Sequence, residues 1–237
     1  MSLEYDNITA YHYAAFRPLL HAQILREVLS SKNKVELGLD VGCGTGQSSI
    51  ALTNFCKKVI GIEPSREMLD KVIVHSSVTY AYYDCEHIAY EDNLFDVITF
   101  AGSLFYGKSQ QLLDETIRVS KNNGQVIAYD FNILLDPVIE SIGIEPNVGP
   151  ITYNHSEDFS GLSTNNIKLV TKTEKPVQLA ISTTNLAHLL LSSKENYSLL
   201  QAHFGSDHLY QKVLDTLQDK TATIEAKTYL TNYKVSK

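Results

Sequence analysis

Short apolar runs alternate with helix-like segments through the first half of the chain. The apolar positions predict strands at 35–41, 59–62, 78–83, 95–101 and 126–131. Helical segments are predicted to begin at Gly46 and Ser65 and to cover about 110–120. Because strands that alternate with helices form a parallel sheet covered on both faces, the pattern predicts an α/β fold.

The two flanks of this alternating region follow different patterns. Upstream, Pro18 can start a helix whose apolar residues recur at helical spacing as far as about residue 30. Downstream, residues 132–166 carry three prolines and three glycines and predict an insertion of helix and loop. The remaining segments predict strands at 167–170, 177–181 and 223–235, with helices near 184–203 and 207–217.

Composition narrows the function class. A formal charge of -7, from 27 acidic and 20 basic residues, disfavours a protein that binds mainly to nucleic acid. The sequence contains no apolar run long enough for a membrane span and no export leader at its start, so we expect a soluble, cytoplasmic protein. Its three cysteines form no disulfide framework, and zinc-type spacings are absent from the sequence, so no metal is expected.

A glycine-rich turn between the first strand and the following helix carries the main chemical signal. The sequence reads Gly42-x-Gly44-x-Gly46, whereas a dinucleotide fingerprint needs its third glycine where Gln47 stands. Asp40 precedes the turn, and a negative charge there suits an ammonium or sulfonium better than a pyrophosphate. Glu63 follows Gly42 by 21 residues and can hold the two hydroxyls of a ribose.

Several segments together resemble the class I S-adenosylmethionine-dependent methyltransferases. They are residues 39–46, 62–69, 83–86, 93–98 and 115–124. The resemblance is greatest to the small-molecule branch that includes trans-aconitate methyltransferase, whose N-terminal helix carries residues like Tyr13 and Arg17-Pro18. It implies a Rossmann-like, doubly wound, seven-stranded and mostly parallel sheet. It also implies a single domain with a core of 33–131 and 222–237, and a substrate cap made of the N-terminal helix 8–31 and the insertion 132–220.

The resemblance also implies which residues bind S-adenosyl-L-methionine. The glycine turn would hold its methionine part, with Asp40 near the ammonium and Glu63 on the ribose. Pro64 and Met68 would flank the adenine, and Asp84 would accept from its amine. The full cofactor set is Asp40, Gly42, Cys43, Gly44, Gly46, Glu63, Pro64, Met68, Asp84, Cys85, Glu86, Ala101 and Gly102.

The acceptor side is less defined by the sequence. Phe105 and Tyr106 directly follow the fourth strand, and acceptors in open α/β sheets bind beyond such strand ends. Tyr13 could close over the site, and Arg17 could clamp a carboxylate. A base is needed only if the acceptor carries a hydroxyl or an acidic carbon. The candidate bases are Asp130, His12 and His155, each with a structural role as its alternative.

The sequence thus predicts an S-adenosylmethionine-dependent methyltransferase that acts, as a monomer or homodimer, on a small-molecule acceptor, for which a carboxylated compound is one candidate. Three alternatives stay open at this stage. A nucleotide-dependent oxidoreductase is disfavoured by Gln47 and Asp40. A non-catalytic S-adenosylmethionine-binding protein is disfavoured by an intact set of glycines and acids. Methylation of RNA or protein is a further alternative, weakened for RNA by the acidic charge.

Overall fold

The computed structural model describes residues 7–83, 87–146, 153–218 and 222–237. Within these residues the strands are β1 (Val35–Val41), β2 (Cys56–Glu63), β3 (Val78–Tyr82), β4 (Phe95–Ala101), β5 (Ser120–Ile133), β6 (Ile167–Ile181) and β7 (Ala222–Val235). The helices are α1 (Asn7–Ala15), α2 (Leu20–Leu25), α3 (Gln47–Leu52), α4 (Arg66–Leu69), α5 (Leu104–Gly107), α6 (Gln110–Val119), α7 (Asp136–Ser141), α8 (Thr183–Leu190), α9 (Lys194–Phe204) and α10 (Leu209–Leu217).

The strands form one seven-stranded sheet in the order β3-β2-β1-β4-β5-β7-β6. The pairs β2–β3, β1–β2, β1–β4 and β4–β5 are parallel. Strand β7 is antiparallel to β5, because the Leu134 N–H donates to the Glu225 carbonyl at 2.9 Å while the Lys237 N–H reaches the Asn122 side chain at 3.1 Å. The predicted fold, a doubly wound and mostly parallel sheet, is confirmed.

The chain divides into two compact units. The first, which we call the sheet unit, comprises Leu19–Phe131, Tyr153–Lys175 and Thr228–Lys237. Its core joins alternate residues of the central strands, such as Leu39 and Ile98, to Leu113 of the amphipathic helix α6. Ser109 caps that helix by accepting from the Leu112 N–H at 3.1 Å. This packing leaves the carboxyl ends of β1 and β4 side by side, at the point where the strand order reverses.

The second unit, the helical unit, comprises Met1–Pro18, Asn132–Thr152 and Pro176–Lys227. The apolar faces of α8 and α10 form its core, where Leu186, Leu190 and Val213 are buried. The role of residues 132–220 as a substrate cap stays a prediction.

The flanking segments differ from the sequence-based prediction in three places. The predicted N-terminal helix 8–31 is two helices, α1 and α2, because Pro18 cannot lie inside a helix and disfavours helical geometry at Arg17. The segment 184–203 is likewise two helices, α8 and α9, of which the second begins at the capping residue Ser193. Strand β6 is continuous where two strands were predicted, and it belongs to the sheet. In the part of the chain that the structure describes, no helix is both long and apolar enough to cross a bilayer.

Candidate cofactor and acceptor site

The glycine turn after β1 has backbone φ angles that residues other than glycine adopt only with strain. Gly42, Gly44 and Gly46 have φ angles of 70°, 55° and 95°. A Cβ on Gly42 would lie 2.4 Å from the Ser103 Cβ, whereas a Cβ on Gly44 would have no atom of the described residues within 4 Å. Gly42 therefore allows close packing of the turn on the neighbouring loop. Gly44 borders open space in which a ligand could approach the main chain.

Glu63, the last residue of β2, closes the other side of the turn. Its two carboxylate oxygens accept from the Gly44 N–H at 2.8 Å and from the Ser65 N–H at 3.0 Å. The turn is also joined to β2 by the N–H groups of Gly42 and Cys43, which donate to the Ile62 carbonyl at 2.8 and 3.1 Å. The side chain that the sequence assigns to a ribose is thus held next to the turn by main-chain donors.

Asp40 lies beneath the turn and is fully buried. Its carboxylate accepts from the hydroxyls of Ser48 at 2.6 Å, Ser49 at 2.7 Å and Thr99 at 2.9 Å. Burial raises the pKa of Asp40, while these three donors oppose the rise. The carboxylate therefore ties the first turn of α3 to β1 and β4. The placement of Asp40 near a ligand ammonium stays a prediction. Because Asp40 lies beneath the turn, its carboxylate would attract such an ammonium from the far side of the turn.

The other predicted cofactor residues are distributed around this turn. The Cys43 thiol is buried, and burial together with the charges of Asp40 and Glu63 raises its pKa, so it stays protonated. Ala101 and Gly102 are half-buried at the end of β4, whereas Pro64 and Met68 are exposed beside α4. Asp84, Cys85 and Glu86 lie outside the described residues.

A polar cluster begins at Gly102 and extends along β5. The Tyr153 hydroxyl lies 2.7 Å from the Gly102 carbonyl oxygen and 3.0 Å from Asp130 Oδ2. The same carboxylate oxygen lies 2.8 Å from Nδ1 of His155. Burial and the neighbouring Asp130 carboxylate raise the pKa of Tyr153, so its hydroxyl stays protonated and can donate. The structure thus joins two candidate bases, Asp130 and His155, in one hydrogen-bonded group.

Aromatic rings surround this group. The Tyr153 ring lies 4.6 Å from Phe105 and 5.7 Å from Tyr106, measured between centroids. The His155 ring stacks on Tyr229 at 5.8 Å with an interplanar angle of 11°. Tyr106 is well exposed, and Phe105 is half-buried. Phe105 and Tyr106, which were predicted to contact an acceptor, therefore lie in one aromatic wall beside the candidate bases Asp130 and His155.

The sequence is similar to those of known methyltransferases. Residues 39–128 match the family model described as "Methyltransferase domain". A demethylmenaquinone methyltransferase of Lactobacillus johnsonii is 29% identical over 168 residues, which cover 62% of this chain and 68% of that protein. A proposed methyltransferase of Dictyostelium discoideum is 28% identical over 123 residues, or 52% of this chain, and the match spans about half of that relative's length, 47%.

One solved structure adds support for the fold. A proposed type II methyltransferase from Anaeromyxobacter dehalogenans superposes with a TM-score of 0.63 at 15% identity, covering 93% of this chain and 98% of that one. Residues 39–128 are thus similar to a methyltransferase domain, and the chain shares the fold of this solved structure. The narrower likeness to trans-aconitate methyltransferase stays a prediction.

Three of the predicted site residues, His12, Tyr13 and Arg17, lie in the helical unit. Nδ1 of the buried His12 lies 2.9 Å from Nδ1 of His188, and its ring stacks on Tyr210 at 5.6 Å. Burial, and then the proximity of His188, lower the pKa of His12 to about 4, so it is neutral at neutral pH. The Arg17 guanidinium lies over the Tyr13 ring, 4.3 Å from its centroid. These contacts give His12 a packing role within its own unit, and its role as a base stays a prediction.

Sequence reasoning missed two residues that contact Asp130 and His155, namely Tyr153 and Tyr229. Neither lies in a motif, and the chain contains 14 tyrosines, so residue type alone could not single them out. Their role depends on contacts with His155 and Asp130 that only the folded chain creates. No group of three or more His, Cys, Asp or Glu side chains that could hold a metal ion occurs among the residues that the structure describes.

Proposed function

We propose that this chain transfers a methyl group from S-adenosylmethionine to a small-molecule acceptor. The main support is the arrangement of the sheet unit, in which the open space beside Gly44 is bordered by Glu63, and the polar cluster starts at Gly102. A cofactor pocket and an acceptor wall then share the carboxyl ends of adjacent strands. That arrangement brings a methyl donor and an acceptor together.

The residues around the turn fit S-adenosylmethionine. The main chain at Gly44 is open to a ligand, and the oriented Glu63 carboxylate suits a pair of ribose hydroxyls. Exposed Met68 and Pro64 would cover the adenine, and Asp84 would accept from its amine. Ala101 and Gly102 would border the methionine part. When bound, the cofactor supplies a methyl group on a positively charged sulfur, which needs no further activation.

The protein's own contribution is positioning. A displacement at a methyl carbon requires the acceptor atom to lie in line with the breaking bond, in a site from which water is excluded. Phe105, Tyr106 and Tyr153 offer apolar faces to an acceptor, and the Tyr153 hydroxyl orients polar groups near Gly102. No nucleophilic residue of the chain is needed.

A small acceptor is favoured over a macromolecule by two observations. Curated relatives include a demethylmenaquinone methyltransferase and a sterol 4-C-methyltransferase of Caenorhabditis elegans, both named for small-molecule acceptors. The net charge of -7 disfavours RNA. A carboxylate on the acceptor, held by Arg17, a cytoplasmic location and a monomeric or homodimeric state stay predictions.

Calorimetric titration with S-adenosylhomocysteine tests the cofactor assignment, with reduced nicotinamide cofactor as the matched control. We expect micromolar binding of S-adenosylhomocysteine alone. A screen that measures S-adenosylhomocysteine formed from S-adenosylmethionine and a panel of small acceptors then tests turnover. Tight binding of the nicotinamide cofactor alone would contradict the proposal. Binding of S-adenosylhomocysteine without turnover on any acceptor class, RNA and protein included, would instead support a non-catalytic role.

A further inference from the structure

His155 and Asp130 form a fixed pair. Asp130 Oδ1 accepts from the Phe131 N–H at 2.7 Å, which leaves Oδ2 directed at Nδ1 of His155, 2.8 Å away. A carboxylate can only accept a hydrogen bond, so Nδ1 of His155 carries the proton and donates it. The lone pair of a neutral His155 then resides on Nε2. This is the arrangement by which a carboxylate prepares an imidazole to accept a proton.

The ring is also held from its face and its edge. Tyr229 stacks on it almost in parallel at 5.8 Å, and Tyr153 meets it edge-on at 4.6 Å. The side chain of His155 is still 27% exposed, against 17% for Asp130. The imidazole is therefore oriented on two sides and accessible, which a base that meets a diffusing substrate requires.

A continuous line of contacts connects this ring to the cofactor residues. It runs from the Gly102 carbonyl through the Tyr153 hydroxyl and Asp130 Oδ2 to His155. His155 also lines a cavity of about 210 Å³, whose wall includes the hydroxyl residues Ser156, Tyr229 and Thr231 and the charged residues Glu157, Lys172 and Glu174. His155 thus belongs both to the cluster beginning at Gly102 and to a cavity whose wall carries hydroxyl and charged groups.

We propose that His155 is the general base that removes a proton from the methyl acceptor, and that Asp130 is its positioning residue. This inference rests on the proposed methyl transfer. The acceptor atom forms a bond to the methyl carbon and gives its proton to Nε2 of His155, while the electron pair of the broken carbon–sulfur bond stays on sulfur. The resulting imidazolium is paired with the Asp130 carboxylate and later releases its proton to water.

If His155 is a base, the acceptor group must be one that loses a proton when it is methylated. A carboxylate oxygen is already ionised at neutral pH and needs no base. A phenol, a hydroquinone or an acidic carbon must lose a proton as it is methylated. The inference is therefore that methylation occurs at a hydroxyl or acidic carbon. A carboxylate on the same acceptor would serve only as a handle.

Nitrogen-15 NMR of the histidine rings in the full chain tests the pair without an acceptor. The His155 signals are assigned by difference with His155→Gln, and His203→Gln, an exposed residue of α9, is the matched control. We expect a ring protonated on Nδ1 in the wild type and a mixed population in Asp130→Leu. A wild-type His155 protonated on Nε2 would overturn the inference.

Kinetics test the base itself, using phenols, hydroquinones and matched carboxylic acids as acceptors. We expect His155→Gln to lower kcat on phenols or hydroquinones by about 100-fold or more, with S-adenosylhomocysteine affinity unchanged, since a general base contributes at least that factor. Added imidazole should restore part of the rate in His155→Gly. Methylation of carboxylic acids alone, or a kcat within threefold of wild type in His155→Gln, would overturn the inference. Failure of the wild type to bind S-adenosylhomocysteine would count against the proposed function instead.

Discussion

The proposed cofactor side and the proposed acceptor side of the sheet unit differ in composition, the first being mostly main chain and the second mostly side chains. The cofactor side is mostly main chain, with a glycine turn whose N–H groups donate to the Ile62 carbonyl and the Glu63 carboxylate. The acceptor side is a group of side chains from separate segments, including Phe105, Asp130 and Tyr229. A backbone turn requires particular residue types at fixed spacing, whereas the residues of a side-chain wall can be replaced one at a time. This difference explains why a cofactor could be predicted from this sequence and the identity of the acceptor could not.

The largest expected effect comes from Gly42→Ala. The new Cβ would lie 2.4 Å from the Ser103 Cβ at a φ of 70°, so both a clash and left-handed strain oppose folding. We expect the free energy of unfolding to fall by about 3 kcal/mol, with overpacking and strain contributing about 1–3 and 1–2 kcal/mol. Urea denaturation measures it.

Gly44→Ala is the matched comparison for that variant. Its Cβ would enter open space, so only the left-handed backbone costs stability, by about 1–2 kcal/mol. The same methyl group would occupy the space assigned to the ligand, and S-adenosylhomocysteine affinity should drop although the protein stays folded. Equal loss of stability in the two variants would contradict the distinction between a packed and an open face of the turn.

Glu63→Ala should have the next largest effect, this time on binding. The change removes the proposed ribose acceptor and leaves the N–H groups of Gly44 and Ser65 without their carboxylate partner. We expect calorimetry to show affinity for S-adenosylhomocysteine weakened by about 1.5–3 kcal/mol. Glu67→Ala, at an exposed position in α4, is the control and should bind normally. Unchanged affinity in Glu63→Ala would remove Glu63 from the site.

The smallest effect is expected on the acceptor side, from Phe105→Ala. The change removes the ring that lies 4.6 Å from Tyr153 and with it the apolar face proposed to contact the acceptor, and an aromatic contact is worth about 0.5–1.5 kcal/mol. The KM for the acceptor should rise roughly threefold to tenfold on that basis, while affinity for S-adenosylhomocysteine stays the same. An equal loss of cofactor affinity would show that the two sides of the site are not separate.

The strands of the sheet unit were predictable because their apolar residues alternate with helices at regular intervals. The continuity of strand β6 was not predictable, because Pro176 lies within it and a proline usually interrupts a strand. An edge strand tolerates proline, since one row of its N–H groups needs no partner, and β6 is at one edge of this sheet. The sequence does not show which strand will be at the edge.

One part of the candidate site could likewise be predicted from the sequence, and another part could not. The positions of Gly42, Gly44 and Glu63 around one turn could be predicted from spacing alone, and so could the placement of Phe105 after β4. The hydrogen bond between Asp130 and His155 could not, because the two residues are 25 positions apart and lie in different segments, in β5 and in the loop before β6. Long-range side-chain contacts of this kind have no periodic signal.

The position of β7 has a consequence for how the chain folds. It lies between β5 and β6, although it follows both in the sequence. Until β7 has been synthesised and inserted, β5 and β6 each lack a neighbour, and their unpaired N–H and C=O groups can pair with those of another molecule. The parallel half of the sheet can form earlier on the ribosome, whereas closure depends on contacts distant in sequence, which form slowly. The nascent chain is therefore most exposed to aggregation just before its final strand emerges.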